Sequence, residues 1–444
     1  MVGTRLALAL SFAVALAVAG CGDDDAPSDD ASRPRSDASV EDTAVQLDDA
    51  GTDAGSARTD SGPPPPPSVE LGRHDVAVVS TVQIIPGDGL PPEAPAMTSN
   101  NNLDVVRHSD GRIYLAWRTG PDHFASDETR IHVVSSIDEE TWEYEASFFL
   151  ESDLREPRFL SLGDRVFLYL ARLGTNPLAF EPQGMSFSER SPDGTWSPLT
   201  ETYRPGFIPW RTRIERGTPF MVAYLGGEHI YTFDGIPLEI ELLTTSDGRE
   251  WVAYDADRPV VSRGGGSETD FVLADDGSLF GVIRNEAGDE TGWGSKICRA
   301  PATDITDWTC VSDPRKYDSP LMFWYDGEAY LIARRNVTET GNYDLMQRRL
   351  NMAAQTARYQ LDYIGQPKRC ALWRYVQDED RIAFVLDLPS RGDTCFPSIV
   401  STDEPGRFVV YNYSSPIDGP ELTWNEGQRG PTNIYRHELV LTPR

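Results

Sequence analysis

The sequence predicts an all-β chain folded as a six-bladed β-propeller with four-stranded blades, and three observations predict it. First, a tryptophan follows a polar, Asp-containing turn at Trp142, Trp196, Trp251 and Trp308, at spacings of 54, 55 and 57 residues. Second, a turn followed by an apolar strand ending in Arg or Tyr recurs six times, closing at Arg118, Arg172, Tyr224, Arg284, Arg334 and Tyr411. Third, each unit of about 50 to 60 residues reads as four short strands separated by Gly/Asp turns, the pattern of a propeller blade. Two landmarks sharing one period point to repetition, and six copies of the second give six blades.

The elements follow in chain order. Residues 1–20 read as a leader: Arg5 precedes an apolar run from Leu6 to Val18, too short to be a permanent membrane span. The run ends in Val18-Ala19-Gly20-Cys21, which resembles the lipobox of bacterial lipoproteins. That resemblance implies cleavage before Cys21 and acylation of it, hence an exported protein of the bacterial cell envelope whose only membrane attachment is lipid. Gly22 and Asp23 are compatible with the outer membrane. Residues 21–68 are rich in Asp, Ala, Ser, Thr and Gly, lack aromatics and close on Pro63 to Pro67. Such a stretch buries too little apolar surface to offset its ordering entropy and reads as an extended, disordered tether.

Residues 69–444 form the propeller domain. The final unit, from Phe396 to Val440, lacks the Asp-turn, and a strand from the segment His74 to Ile85 is expected to complete it and close the ring. Leu345 to Tyr359 is the one stretch whose Arg and Gln spacing suits a short helix. With Cys21 assigned to lipid, four cysteines remain in an oxidising compartment. Cys298 and Cys310 flank one hairpin, Cys370 and Cys395 another pair of strands; these two bridges are expected, with two other pairings open.

The formal net charge of −30 argues against nucleic acid as a partner. The six histidines show no His-x-His or His-Glu-x-x-His spacing, so no metal site is expected, and no phosphate loop or nucleophile elbow implies a cofactor. A single propeller without an obvious apolar edge is expected to be monomeric.

The Asp-turns carry a resemblance. Ser-Pro-Asp-Gly-Thr-Trp196 and its degenerate copies resemble the Asp-box of sialidases and related repeat proteins, where the Asp caps a hairpin turn and the Trp packs between sheets. The stretch from Ser267-Glu268 to Ile283-Arg284 is similar to the sialidase segment in which a Glu begins one strand and an Arg ends the next. The body from about Asn101 onward also resembles a broad set of bacterial sialidase-like proteins.

A retaining sialidase uses a Tyr nucleophile activated by Glu, an Asp as acid/base and three Arg on the substrate carboxylate. The resemblance implies Glu268 as the carboxylate that activates the nucleophile, with Arg284 and Arg334 as carboxylate ligands and Arg118 as a further one. Asp122 falls where the acid/base is expected, with Asp127 competing, and the flanking segments bring His123, Arg158 and Asp393 to the same region. Two parts depart from the pattern. The first Arg of the trio is missing from Asn100-Asn101-Asn102-Leu103, and the nucleophile position falls on Phe396, leaving Tyr411 or Tyr413 as substitutes. The implied function is a sialidase-like glycoside hydrolase on extracellular glycans, acidic sugars foremost. The alternative is a glycan-binding propeller without catalysis.

Overall fold

The structure, a computed structural model, describes residues 63–444; the leader, Cys21 and nearly all of the acidic tether lie outside the described residues. Strand β1 (His74–Ile85) comes first and is used last. Blade 1 is β2 (Ser99–Arg107), β3 (Ile113–Gly120), β4 (Arg130–Ser136) and β5 (Glu143–Phe148). Blade 2 is β6 (Asp153–Leu162), β7 (Arg165–Leu173), β8 (Pro182–Arg190) and β9 (Thr200–Thr202). Blade 3 is β10 (Ile208–Glu215), β11 (Thr218–Leu225), β12 (Leu238–Thr244) and β13 (Val252–Ala253), with β14 (Val260–Gly264) also pairing β12. Blade 4 is β15 (Gly266–Leu273), β16 (Leu279–Asp289), β17 (Gly292–Ala300) and β18 (Thr309–Asp313). Blade 5 is β19 (Asp318–Tyr325), β20 (Glu328–Asn336), β21 (Lys368–Val376) and β22 (Arg381–Leu388).

Blade 6 is β23 (Ser398–Ser401), β24 (Arg407–Ser414) and β25 (Asn433–Pro443), completed by β1, which pairs β25 antiparallel from His74 opposite Pro443 to Ile85 opposite Ile434. The expected six-bladed, four-stranded architecture therefore stands, and the first strand of the domain closes the ring. The recurring strand ending in Arg or Tyr is the second strand of every blade. The recurring Trp sits between third and fourth strands, where Asp138, Asp193, Asp247 and Asp304 each accept backbone N–H bonds within the turn.

Because both faces of each sheet are covered by neighbours, the strands read as near-continuous apolar runs and the core divides into wedges between blades. Tyr114, Val133, Phe159 and Leu168 fill the wedge between blades 1 and 2, and Val282, Leu331 and Trp373 that between blades 4 and 5. On the axis itself, Trp210 of blade 3 meets Phe396 of blade 6 at 5.4 Å between ring centroids. Each such fully buried ring contributes about 1.5–3 kcal/mol.

Two disulfides form as expected: Cys298–Cys310, directly opposite across β17 and β18, and Cys370–Cys395, joining β21 to the segment entering β23. The helix falls later than the periodicity suggested. Helix α1 spans Met352–Ile364 because Asn351 caps it, accepting from the Ala354 N–H. Residues 345–350 instead form turns, where Arg348 binds Asp344. A second short helix, α2 (Trp424–Gly427), is closed by a Thr423/Glu426 capping box. Among the described residues no helix is long and apolar enough to cross a membrane.

Candidate active site

One end of the axis carries the chemistry, and a repeated β-bulge builds it. Register shifts occur at the start of five inner strands: Asn101/Leu103, Arg155/Arg158, Pro209/Arg211, Gly266/Thr269 and Asp318/Leu321. A bulge bends its strand and re-aims side chains. Here it turns Glu156, Glu268 and their neighbours toward the axis instead of into the wedges. Asn102, Glu156 and Ser319, all within these bulges, have φ of 39°, 52° and 52°.

Arg284, midway along β16, organises the blade 4 side. Its Nη1 lies 2.9 Å from Glu268 Oε1, 3.2 Å from Glu286 Oε2 and 3.9 Å from Asp318 Oδ1, and its Nε donates to Ser267 Oγ at 3.0 Å. Lys316 Nζ lies 2.7 Å from Glu286 Oε1 and 3.4 Å from Asp318 Oδ1, resting on the faces of Tyr363 and Tyr343 at 3.8 and 4.6 Å. Asp318 Oδ2 accepts from Tyr363 OH at 2.6 Å and from Arg334 Nη1 at 3.2 Å.

These carboxyls differ in charge state. Burial pushes Glu268 up to about 7, against Arg284 and with the help of Asp318 and Glu156, although the Ser319 N–H donates to its Oε2 at 2.6 Å. Burial acts on Glu286 and Asp318 too, but Arg284 and Lys316 hold the first, and Lys316, Arg334 and Arg284 the second, below the usual carboxylate range.

Arg334 bridges to a second group on blade 6. Its Nε donates to the Thr394 carbonyl at 2.5 Å, its Nη2 to Tyr413 OH at 3.4 Å, and it lies 4.8 Å from the Trp424 ring. Asp393 gathers three donors: Tyr413 OH at 2.9 Å, Trp424 Nε1 at 2.9 Å and His123 Nδ1 at 2.8 Å, the last placing the ring proton on Nδ1. Burial opposes the charge of Asp393, yet His123, Arg334 and Tyr413 hold its carboxyl below the ordinary value. Burial pushes the hydroxyls of Tyr363 and Tyr413 up.

Of the residues singled out in the sequence, the structure brings Glu268, Arg284, Arg334, His123 and Asp393 into this one network. Arg118 is not available to a ligand. It is fully buried, with Nε on Asp153 Oδ1 at 2.9 Å and its other nitrogens on the carbonyls of Asp122 and Phe124. The Asp122 carboxylate caps its own loop, accepting from the Phe124 N–H at 2.9 Å. Tyr411 lies outside the network, between blades 6 and 1, donating to Glu139 Oε2 at 2.6 Å. Arg158 lies on the axis beneath the network, fully buried, 4.3 Å from the Phe396 ring and 4.9 Å from that of Trp210. The expected set of free arginines does not occur, because each cation of the network already faces a carboxylate.

Half of this face is covered. Residues 337–367, inserted between β20 and β21, lay α1 across blades 4 and 5, where Tyr343, Tyr359, Tyr363 and Trp293 form a separate aromatic cluster. Tyr343 OH donates to the Glu286 carbonyl at 3.1 Å and Trp293 Nε1 to Thr356 Oγ1 at 3.0 Å. Solvent reaches a narrow mouth where the side chains of His123, Arg155, Glu156 and Glu268 are 17, 12, 12 and 11 % exposed.

An uncharacterised protein from Dyadobacter fermentans superposes with a TM-score of 0.55 at 15% identity, over 83% of this chain and 99% of that one. A phage phi92 endosialidase gives 0.51 at 11%, over 84% of this chain and 70% of that one. A Trypanosoma rangeli sialidase gives 0.51 at 12%, over 77% of this chain but only 55% of that longer one. The propeller has the sialidase architecture. At these identities the likeness is one of fold. No protein-family model and no curated sequence matches the chain.

Within this network the sequence analysis did not single out Glu156, Glu286, Lys316, Asp318, Tyr363 or Trp424. Glu156 and Asp318 carry a signal only in hindsight of the repeat: Glu156-Pro157 and Ser319-Pro320 mark two of the inner-strand bulges, since proline cannot donate within a regular ladder. A groove of about 480 Å³ between α1, the loop 229–237 and the hairpin around Gly288 lies outside the network. Its Lys296 and Asp289 already pair with each other, so its lining offers little free charge. Among the described residues no group of three or more His, Cys, Asp or Glu is placed to hold a metal.

Proposed function

We propose that the chain is a glycoside hydrolase acting at the axial mouth of its propeller on extracellular glycans, displayed from a lipid anchor on Cys21. The observation that carries this reading is Glu268: a carboxyl at the mouth, raised to about 7 by burial, fixed by Arg284 and the Ser319 N–H. A carboxylic acid that keeps its proton near neutral pH is what a leaving glycosidic oxygen needs. Glu286 and Asp318, held charged behind it, stabilise the positive charge that grows on the sugar as the bond breaks.

The charge balance narrows the sugar. Gripping a sugar carboxylate takes cations with donors to spare, whereas Arg284, Lys316 and Arg334 are matched by Glu268, Glu286 and Asp318. The reading is therefore a neutral or N-acetylated terminal sugar ahead of a sialic acid. Turnover of a panel of 4-methylumbelliferyl glycosides, including N-acetylneuraminate, by intact protein in detergent tests it. Collapse of turnover in Glu268→Gln is expected, and equal turnover in wild type and variant refutes the assignment.

One observation favours a second reading, a glycan-binding propeller without catalysis. Phe396 stands where the sialidase resemblance places the nucleophilic Tyr, and it stacks on Arg158 instead of facing the mouth. Binding on a glycan array with no turnover of any glycoside is the outcome that selects it.

A further inference from the structure

We infer that Glu156 is the second catalytic carboxylate, the base that takes a proton from the attacking water opposite Glu268; this deepens, and rests on, the hydrolase reading above. Four observations converge on it. Glu156 occupies the blade 2 bulge, the counterpart of the blade 4 bulge that delivers Glu268. It holds φ of 52°, a conformation that Asn and Asp tolerate but that costs a longer side chain about 1–3 kcal/mol and persists where the surrounding structure demands it. Its side chain is 12% exposed, matching Glu268 at 11%, so both reach the mouth.

The fourth observation is chemical. Glu268, Glu286, Asp318 and Asp393 each accept at least one hydrogen bond, whereas the Glu156 carboxylate accepts none among the described residues, and its Oε2, like Asp318 Oδ1, is buried without a donor. Its nearest cation is Arg158, whose Nη2 lies 3.9 Å away and whose nitrogens likewise lack a protein acceptor. At that distance the guanidinium does not occupy the Glu156 oxygen by a direct hydrogen bond. Both carboxyls rise from inner-strand bulges, and Glu156 is among the groups that raise Glu268, after burial and Asp318.

The step balances with these two groups alone. Glu268 gives its proton to the glycosidic oxygen as the bond from that oxygen to the anomeric carbon breaks. A water oxygen bonds to the anomeric carbon from the other side, and its proton passes to Glu156. One water is consumed, and the two carboxyls return to their starting states by proton exchange with solvent. The anomeric configuration inverts. This chemistry uses no tyrosine nucleophile, which accounts for Phe396.

The test measures the intact protein and its Glu156→Gln, Glu156→Asp and Glu268→Gln variants on the 4-methylumbelliferyl panel, with thermal melts to confirm folding. Glu156→Gln is expected to lower kcat about 100-fold or more with little change in KM. Sodium azide, which needs no deprotonation, is expected to restore turnover and yield the glycosyl azide. Glu156→Asp is expected to retain intermediate activity, and proton NMR to show the inverted sugar first. Unchanged kcat in a folded Glu156→Gln while Glu268→Gln is inactive overturns the role of Glu156 and leaves the hydrolase standing. A retained anomer also overturns it. No turnover by wild type refutes the hydrolase reading and this inference together.

Discussion

The two halves of the axial face solve opposite problems. On blades 4 to 6, Lys316, Asp318 and Arg334 are buried beneath α1 and α2, Tyr363 of α1 donates to Asp318, and every charge there meets its partner inside the protein. On blades 1 and 2, His123, Arg155 and Glu156 line the solvent mouth, and one Glu156 oxygen meets no donor. The closed half is a preorganised electrostatic scaffold, and the open half is where a ligand completes the structure. Glu268 and Arg284 sit on the seam, fixed from the closed side and reachable from the open one.

The largest expected effect breaks the closed half. Asp318 is the shared counter-charge of Lys316, Arg334 and Arg284, so Asp318→Ala strands buried cations and the Tyr363 hydroxyl. Removing one member of a buried ion network costs about 3–5 kcal/mol. Urea unfolding is expected to show that loss, whereas His123→Ala, at the mouth, is expected to lose well under half as much. Equal losses would erase the distinction between the halves.

Next in size is the disulfide that fastens the closed half. Cys370–Cys395 closes a 25-residue separation and holds the Asp393–Cys395 segment whose carbonyls accept from Arg334. Replacing both cysteines by serine removes about 3.5 kcal/mol on chain-entropy grounds. Hydrogen exchange is expected to speed up around Asp393 and α2 before the blade 1 loop responds.

The seam gives a pH signature of its own. Glu268 rises from an ordinary 4.5 to about 7 on folding, so between those values the folded state binds the extra proton. Stability carried by this group is therefore fully present below about pH 4.5 and is lost as pH rises through about 7, by up to about 3 kcal/mol. Chemical denaturation from pH 4.5 to 8 is expected to show wild type weakening relative to Glu268→Gln across that window. A parallel pair of curves would mean Glu268 titrates normally.

Much of this was readable in the sequence, for a physical reason. Blade number came from Trp142, Trp196, Trp251 and Trp308 and the strands ending at Arg118 through Tyr411, because each blade must repeat the same buried pattern to pack on its neighbours. Closure by His74–Ile85 followed from the last unit being one strand short. Glu268 and Arg284 were legible since both flank one hairpin. Arg118 misled because its type and strand position match those of Arg284, and only the presence of Asp153 on the next blade turns it into a structural tie. Lys316, Asp318 and Tyr363 were invisible because they meet through the 337–367 insertion, which belongs to no repeat.

The smallest effect is the most discriminating, and it separates two tyrosines two residues apart on one strand. Tyr413 donates to Asp393 and stands 3.4 Å from Arg334, joining the closed half to His123 at the mouth. Tyr411 donates to Glu139 between blades 6 and 1, with Arg436 alongside on the same carboxylate. Each hydroxyl binds a carboxylate, so Phe at either position is expected to cost a similar 1.5–3 kcal/mol, as an order-of-magnitude figure. Function is expected to split where stability does not. Tyr413→Phe frees Asp393 and loosens His123, lowering turnover several-fold, while Tyr411→Phe leaves turnover within about twofold of wild type. Paired melts and initial rates on the same preparations read both quantities. A loss of turnover in Tyr411→Phe at unchanged Tyr413→Phe activity would move the reacting centre off the axis and into the wedge between blades 6 and 1.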